Sequence, residues 1–99
     1  MLPYQTLSPK FATKEKEITI VPTKAYILIE TAVGKTRDVS NALEDLGNIL
    51  TVDAVTGPYD IIATASSKDL GSLGDFVTNE VHTIQGIVRT VTCLSVTEN

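Results

Sequence analysis

The sequence predicts an α+β sandwich, in which two helices cover one face of a four-stranded antiparallel sheet. Three observations support this class. Apolar, β-branched runs alternate with two segments of helical periodicity in the order β-α-β-β-α-β. Gly57-Pro58 separates the second and third runs and indicates a tight reversal there. The length of 99 residues allows one small domain. This order defines the split β-α-β, or ferredoxin-like, arrangement.

The chain divides into an N-terminal arm, residues 1–23, and a folded domain, residues 24–97. The arm contains Pro3, Pro9 and Pro22, mixed charge and no helical periodicity. Ile18–Val21 alternates enough to predict a short edge strand that ends at Pro22. We therefore expect the arm to be loose at its start, and to be available for packing on a neighbouring subunit.

The first half of the domain is predicted as a strand followed by a helix. Residues 25–32 are apolar for most of their length, which is typical of a central strand covered on both faces. Gly34 closes this strand. The period then changes, because four apolar residues recur at helical spacing: Val39, Ala42, Leu43 and Leu46. Gly47 is the predicted stop of this helix.

The second half repeats the pattern after the reversal. Strands are expected over residues 48–56 and 59–66, with a second helix capped by Ser67 or Asp69. The apolar positions of that helix are Leu70, Leu73, Phe76, Val77, Val81 and Ile84. Gly86 ends the helix, and residues 87–96 form the fourth strand. Strands one and three are predicted to be central because they are the most uniformly apolar.

One face of this sheet has no helix to cover it. The central strands do not alternate cleanly between apolar and polar residues, so large apolar side chains are expected on that face too. We therefore predict a homodimer that packs through the open sheet face. The alternative is a partly apolar face that stays exposed.

Composition argues against several classes of function. Residues 25–99 carry four basic against ten acidic side chains, which disfavours binding to a phosphate backbone. No apolar run is long enough to span a membrane, so a cytoplasmic protein is predicted. His82 is the only histidine and Cys93 the only cysteine; they are interpreted as a surface and a core or interface residue. No catalytic residue, metal site or cofactor is predicted, and the chain is not expected to be an enzyme.

The remaining class is a binding module. Backbone groups of Gly57, the phenol of Tyr59 and the carboxylate of Asp60 converge at the reversal, and Thr90 and Thr92 add two hydroxyls on one face of strand four. This set offers partners for both the ammonium and the carboxylate of an amino acid. Two alternatives stay open, because Asp60 can instead cap the turn and the threonines can reflect β-propensity alone.

Three segments resemble the effector-binding domain of the leucine-responsive regulator (Lrp/AsnC) family, also called the RAM domain: residues 55–62, residues 73–77 and residues 84–92. The resemblance covers residues 24–96. It implies dimers through the sheets, higher rings that are commonly octamers, and small effectors, typically amino acids, bound between dimers. It also places effector-binding roles at Gly57, Pro58, Tyr59, Asp60, Thr90 and Thr92.

The resemblance does not extend to the front of the chain. Full-length regulators of this family carry a helix-turn-helix domain there, and residues 1–23 are too short and too rich in proline for one. The expectation is a stand-alone effector domain without direct DNA binding, which associates with full-length regulators in transcriptional regulation.

Three alternatives remain. An ACT-type regulatory domain shares the element order and would place its effector near Gly34. A small dimeric ferredoxin-like enzyme, such as a monooxygenase, would need His82. A structural subunit would bind no ligand.

Overall fold

The computed structural model describes residues 22–97, and the predicted edge strand Ile18–Val21 lies outside them. The predicted order of elements is confirmed: β1 (Thr23–Thr31), α1 (Thr36–Glu44), β2 (Ile49–Ala54), β3 (Ile61–Ser67), α2 (Leu70–Phe76) with a π-helical turn (Val77–Val81), and β4 (Ile87–Leu94). Among these elements, no helix has the length and apolar character needed to cross a membrane.

The sheet is four-stranded and antiparallel, in the order β2-β3-β1-β4. The prediction that strands one and three are central is therefore confirmed. Ala25, Ile27 and Ile29 of β1 lie opposite Ala65, Ala63 and Ile61 of β3, and all six are fully buried under the helices. This apolar pairing of two central strands fixes the register, because a shift by one residue would move these side chains to the other face.

Helix α1 buries the predicted stripe but ends earlier than predicted. Val39 and Leu43 are fully buried, and Leu46 packs against the core from just beyond the helix. The amide of Leu46 donates to the Leu43 carbonyl over 3.0 Å, which tightens the last turn. Gly47, the predicted stop, lies three residues beyond Glu44, the last residue of the helix, so it does not end the helix.

Helix α2 is capped by Asp69, whose carboxylate Oδ1 accepts the Ser72 amide over 2.7 Å. Leu70, predicted to be an apolar contact, is 59% exposed, because the first residue after the cap faces solvent. The expected single helix also changes type at Val77. The amide of His82 then reaches back five residues to the Val77 carbonyl, and the π-helical turn keeps Val77 and Val81 buried.

Among residues 22–97, both helices lie on one face of the sheet, as predicted, and no element covers the second face. That a second copy covers this face of β1 stays a prediction. Ile62, Leu28 and Val91 form a half-buried apolar row across β3, β1 and β4. Tyr26 and Cys93 lie side by side in the next row and are exposed. The open sheet face therefore carries a mixed surface with an apolar centre.

Candidate functional site

The reversal between β2 and β3 is fixed by backbone hydrogen bonds. The amide of Val55 donates to the Asp60 carbonyl over 2.9 Å and closes the loop. The amide of Asp60 donates to the Ile29 carbonyl over 2.9 Å, which joins the loop to β1. Gly57 has a φ of 123°, a conformation that favours glycine. Gly57 and Pro58 are thus the exposed part of a loop whose ends are held by these backbone hydrogen bonds.

Asp60 is half-buried and points its carboxylate at the end of β1. Its Oδ2 accepts the Thr31 amide over 2.8 Å and the Thr31 hydroxyl over 3.2 Å. The same hydroxyl contacts Oγ1 of Thr36, the first residue of α1, over 2.8 Å. One carboxylate therefore joins the loop, β1 and the start of α1. The geometry gives Asp60 the structural role of a cap, and its role toward a ligand stays a prediction.

Tyr59 faces a charged pair. Nη1 of Arg89 donates to the Tyr59 phenol over 3.3 Å, and the guanidinium carbon lies 5.1 Å from the centre of the tyrosine ring. Nε of Arg89 donates to Glu30 over 3.2 Å. Glu30 and Arg89 are direct cross-strand neighbours on β1 and β4. The hydrogen bond with Glu30, and secondarily the phenol, raises the pKa of Arg89 above its ordinary value.

Thr90 and Thr92 lie on the helix-covered side of β4. They are the cross-strand neighbours of Ile29 and Ile27, whose side chains enter the core, and so they share that face. Oγ1 of Thr90 is 2.9 Å from Nε2 of His82, which is exposed at the end of the π-helical turn. Thr92 is exposed at the sheet edge. A cleft of about 270 Å³ is lined by His82, Ile87, Val88, Arg89 and Thr90.

The predicted site residues therefore form two groups in one protomer. Gly57, Pro58, Tyr59 and Asp60 form the loop group, which is anchored on β1. Thr90 and Thr92 form the strand group on β4. Tyr59 contacts Arg89, and the neighbouring Thr90 points to the opposite face of the same strand, so the two groups lie on opposite faces of β4. Arg89 and Thr90 meet only where both line the cleft at the edge of this strand.

Two residues of this region were not predicted as part of a site. Arg89 contacts Tyr59, and His82 contacts Thr90, which the sequence interpretation treated as unconnected. A signal for Arg89 was present, because Glu30 is the acidic residue of β1 and Arg89 is the basic residue of β4. Within the described part of the chain, no group of three histidine, cysteine, aspartate or glutamate side chains is placed to hold a metal ion.

Comparisons with known proteins identify one family. Residues 24–98 match the family model described as the Lrp/AsnC ligand binding domain. No curated protein sequence matches the chain. Among solved structures, the protein TTHA0845 from Thermus thermophilus is 32% identical, with a TM-score of 0.72 over 76% of this chain and 94% of its own. The hypothetical protein PHS023 from Pyrococcus horikoshii is 30% identical, with a TM-score of 0.72 over 77% and 92%.

A longer regulator shares the fold at lower identity. The transcriptional regulator NMB0573 from Neisseria meningitidis, solved as a complex with L-methionine, is 17% identical, with a TM-score of 0.72. The match covers 80% of this chain but 53% of the regulator. The chain thus corresponds to about half the length of that regulator.

Proposed function

The chain belongs to the Lrp/AsnC ligand-binding domain family, and on that premise we propose that it binds a small effector, an amino acid, and converts its concentration into a change of assembly. The observation that carries the proposal is the family match, which spans the whole described fold. Domains of this family belong to transcriptional regulators and not to enzymes, and the L-methionine complex of the Neisseria regulator is an example of an amino acid bound by a protein with this fold.

The proposed effector site consists of the loop group and the strand group. The loop supplies the Tyr59 phenol and the exposed backbone of Gly57 and Pro58, and Asp60 supplies negative charge. Thr90 and Thr92 supply hydroxyls that can donate to a carboxylate. Because the groups face different surfaces of one protomer, we propose that a neighbouring protomer completes the site.

The proposed assembly begins with a two-fold dimer through the open sheet face. The apolar row of Ile62, Leu28 and Val91 would lie at its centre, where burial removes apolar area from water. Dimers would associate further into a ring, proposed as an octamer, and mixed rings with full-length regulators would carry the signal to transcription. An effector changes assembly only when it binds one assembly state more tightly than another.

The experiment that tests this proposal has two parts. Isothermal titration with each standard amino acid measures binding, and sedimentation velocity with and without the tightest binder measures assembly. We expect heat from at least one amino acid and a shift in sedimentation at the same concentrations. Titrations without heat for every amino acid, together with unchanged sedimentation, would contradict the proposed function.

A matched pair of variants locates the site. Thr92→Val removes an exposed hydroxyl from edge strand β4, and Thr51→Val removes one from the opposite edge strand, β2. Both variants keep a β-branched side chain, so the strand preference is conserved. We expect Thr92→Val to weaken binding about tenfold, as for one lost hydrogen bond to a charged group, and Thr51→Val to leave it unchanged. Equal affinities of the two variants would remove Thr92 from the site.

A further inference from the structure

We propose that Arg89 binds the carboxylate of the amino-acid effector, and that Tyr59 and Glu30 position its guanidinium for this task. The proposal rests on the proposed function, because it assigns one end of the effector to a residue. It goes beyond that function, since the family match identifies the domain and not the group that holds the carboxylate.

The guanidinium of Arg89 is held from two directions. Glu30 accepts from Nε over 3.2 Å, and the Tyr59 phenol accepts from Nη1 over 3.3 Å. The tyrosine ring also lies within stacking distance, 5.1 Å from the guanidinium carbon. A long, flexible side chain normally loses conformational freedom when it binds a ligand. These contacts restrict Arg89 before the ligand arrives, which lowers that cost.

The positioned guanidinium still has free donors. Arginine carries five N–H donors, and the two contacts use the one on Nε and one on Nη1. The remaining three, including both on Nη2, have no protein acceptor among residues 22–97. Arg89 lies on the open sheet face, but it belongs to edge strand β4 and lies beside the reversal, outside the apolar row of Ile62, Leu28 and Val91 that would form the dimer centre. Its side chain is 55% exposed in the protomer, which leaves these donors room for a ligand at the rim of that face. A carboxylate can accept two parallel hydrogen bonds from such a planar group, which makes arginine better suited to it than lysine.

Glu30 has two opposing effects on this site. It orients Arg89 through the Nε hydrogen bond, and its negative charge repels an incoming carboxylate. Glu30→Gln retains an oxygen that can accept from Nε and removes the charge. In the proposed arrangement, the carboxylate of the effector lies nearer to Glu30 than its ammonium does, so the proposal requires this variant to bind the amino acid more tightly. If Glu30, Tyr59 and Arg89 only stabilised the sheet, Glu30→Gln would remove an ion pair and would not increase the affinity for the amino acid.

The experiment uses isothermal titration of the full chain with two probes. The first is the amino acid that binds most tightly in the titration described above, and the second is its α-amide, which lacks the carboxylate. The variants are Arg89→Gln, Arg89→Lys and Glu30→Gln. The control is Arg37→Gln, which removes the same positive charge from an exposed position of α1. Circular dichroism establishes that each variant is folded.

The proposal predicts a specific pattern. Arg89→Gln should weaken binding of the amino acid at least about tenfold and leave binding of its α-amide unchanged. Arg89→Lys should fall between Arg89→Gln and the original chain, because it keeps the charge without the planar pair of donors. Glu30→Gln should tighten binding of the amino acid about threefold. Arg37→Gln should stay within about twofold of the original chain.

Three results would overturn the proposal. Wild-type affinity in a folded Arg89→Gln variant would remove Arg89 from the site while the proposed function stands. Weaker binding by both Glu30→Gln and Arg89→Gln, for the acid and the amide alike, would show a merely structural cluster. The original chain binding no amino acid would overturn this inference together with the proposed function.

Discussion

Asp60→Ala tests whether the carboxylate at the reversal holds the fold. In the structure, its Oδ2 accepts the Thr31 amide over 2.8 Å and the Thr31 hydroxyl over 3.2 Å. Alanine leaves the half-buried amide without its charged acceptor, and such a loss costs about 2 kcal/mol. The hydroxyl adds little to this figure, because it keeps its 2.8 Å contact with Thr36.

This magnitude is measurable in a domain of this size. A loss of about 2 kcal/mol corresponds to a fall in Tm of about 10 °C for a domain of fewer than about 100 residues. Thermal unfolding followed by circular dichroism measures it directly. Asp60→Asn is the matched variant, because its amide oxygen can still accept the Thr31 amide, and we expect it to lose about half as much stability.

The same two variants separate structure from binding. Asp60→Asn removes the negative charge that would attract an effector's ammonium while it retains most of the fold. If Asp60 binds the effector, this variant should stay folded and bind about tenfold more weakly in isothermal titration. An Asp60→Ala variant as stable as the original chain would refute the structural argument. Unchanged affinity in Asp60→Asn would assign Asp60 to the fold alone.

Three further predictions concern the fold, its pH dependence and the dimer. Gly86→Ala should lower the free energy of unfolding by about 3 kcal/mol, because the φ of Gly86 is 105° and a new Cβ would lie 3.0 Å from side-chain atoms of both Lys35 and Val39. Gly57→Ala should lose about half as much in denaturant titrations, because the φ of Gly57 is 123° but the space around a new Cβ is open. The hydrogen bond from the Ser72 amide lowers the pKa of Asp69 below its ordinary value. The stabilisation by this carboxylate is therefore present at neutral pH and is lost as the pH falls through the lowered pKa. Asp69→Asn keeps a cap without this titration, so its Tm should approach that of the original chain as the pH is lowered through this range in thermal unfolding. Cys93 lies exposed on the open sheet face, so the proposed dimer would bury it. Alkylation of Cys93 should therefore slow about tenfold when the protein concentration is raised from below to above the dissociation constant of the dimer. An alkylation rate that does not depend on protein concentration would argue against that interface.

The fold was predictable because its signals are local. Apolar, β-branched runs identified the four strands, the 3.6-residue period identified the two helices, and uniform apolarity placed β1 and β3 at the centre. The finer predictions failed where periodicity carries no information. Leu70 follows the helical period but faces solvent just after the cap, and Gly47 follows a helix that has already ended in a tightened turn. The π-helical turn likewise depends on which carbonyl an amide reaches.

The sequence identified the residues of the reversal as a candidate site, but it did not identify the residues that contact them. Asp60 was singled out because a carboxylate beside a buried strand needs a partner. That partner, Thr31, lies 29 residues away in the sequence, and Glu30 lies 59 residues from Arg89. Such contacts follow from the strand order and the register, which are set by long-range packing. Arg89 could be found only after β1 and β4 were known to be neighbours.

The division of the site around β4 constrains how an effector can act. The loop group reaches Arg89 on one face of that strand, while Thr90 and Thr92 lie on the other face with His82. Under the proposed function, an effector that contacts both groups draws them from two protomers, and its binding would then strengthen with protein concentration and drive assembly. An effector held by one group alone would bind the isolated protomer equally well and leave assembly unchanged. Affinity measured at several protein concentrations distinguishes these mechanisms, and only the first provides the sensing proposed for this domain.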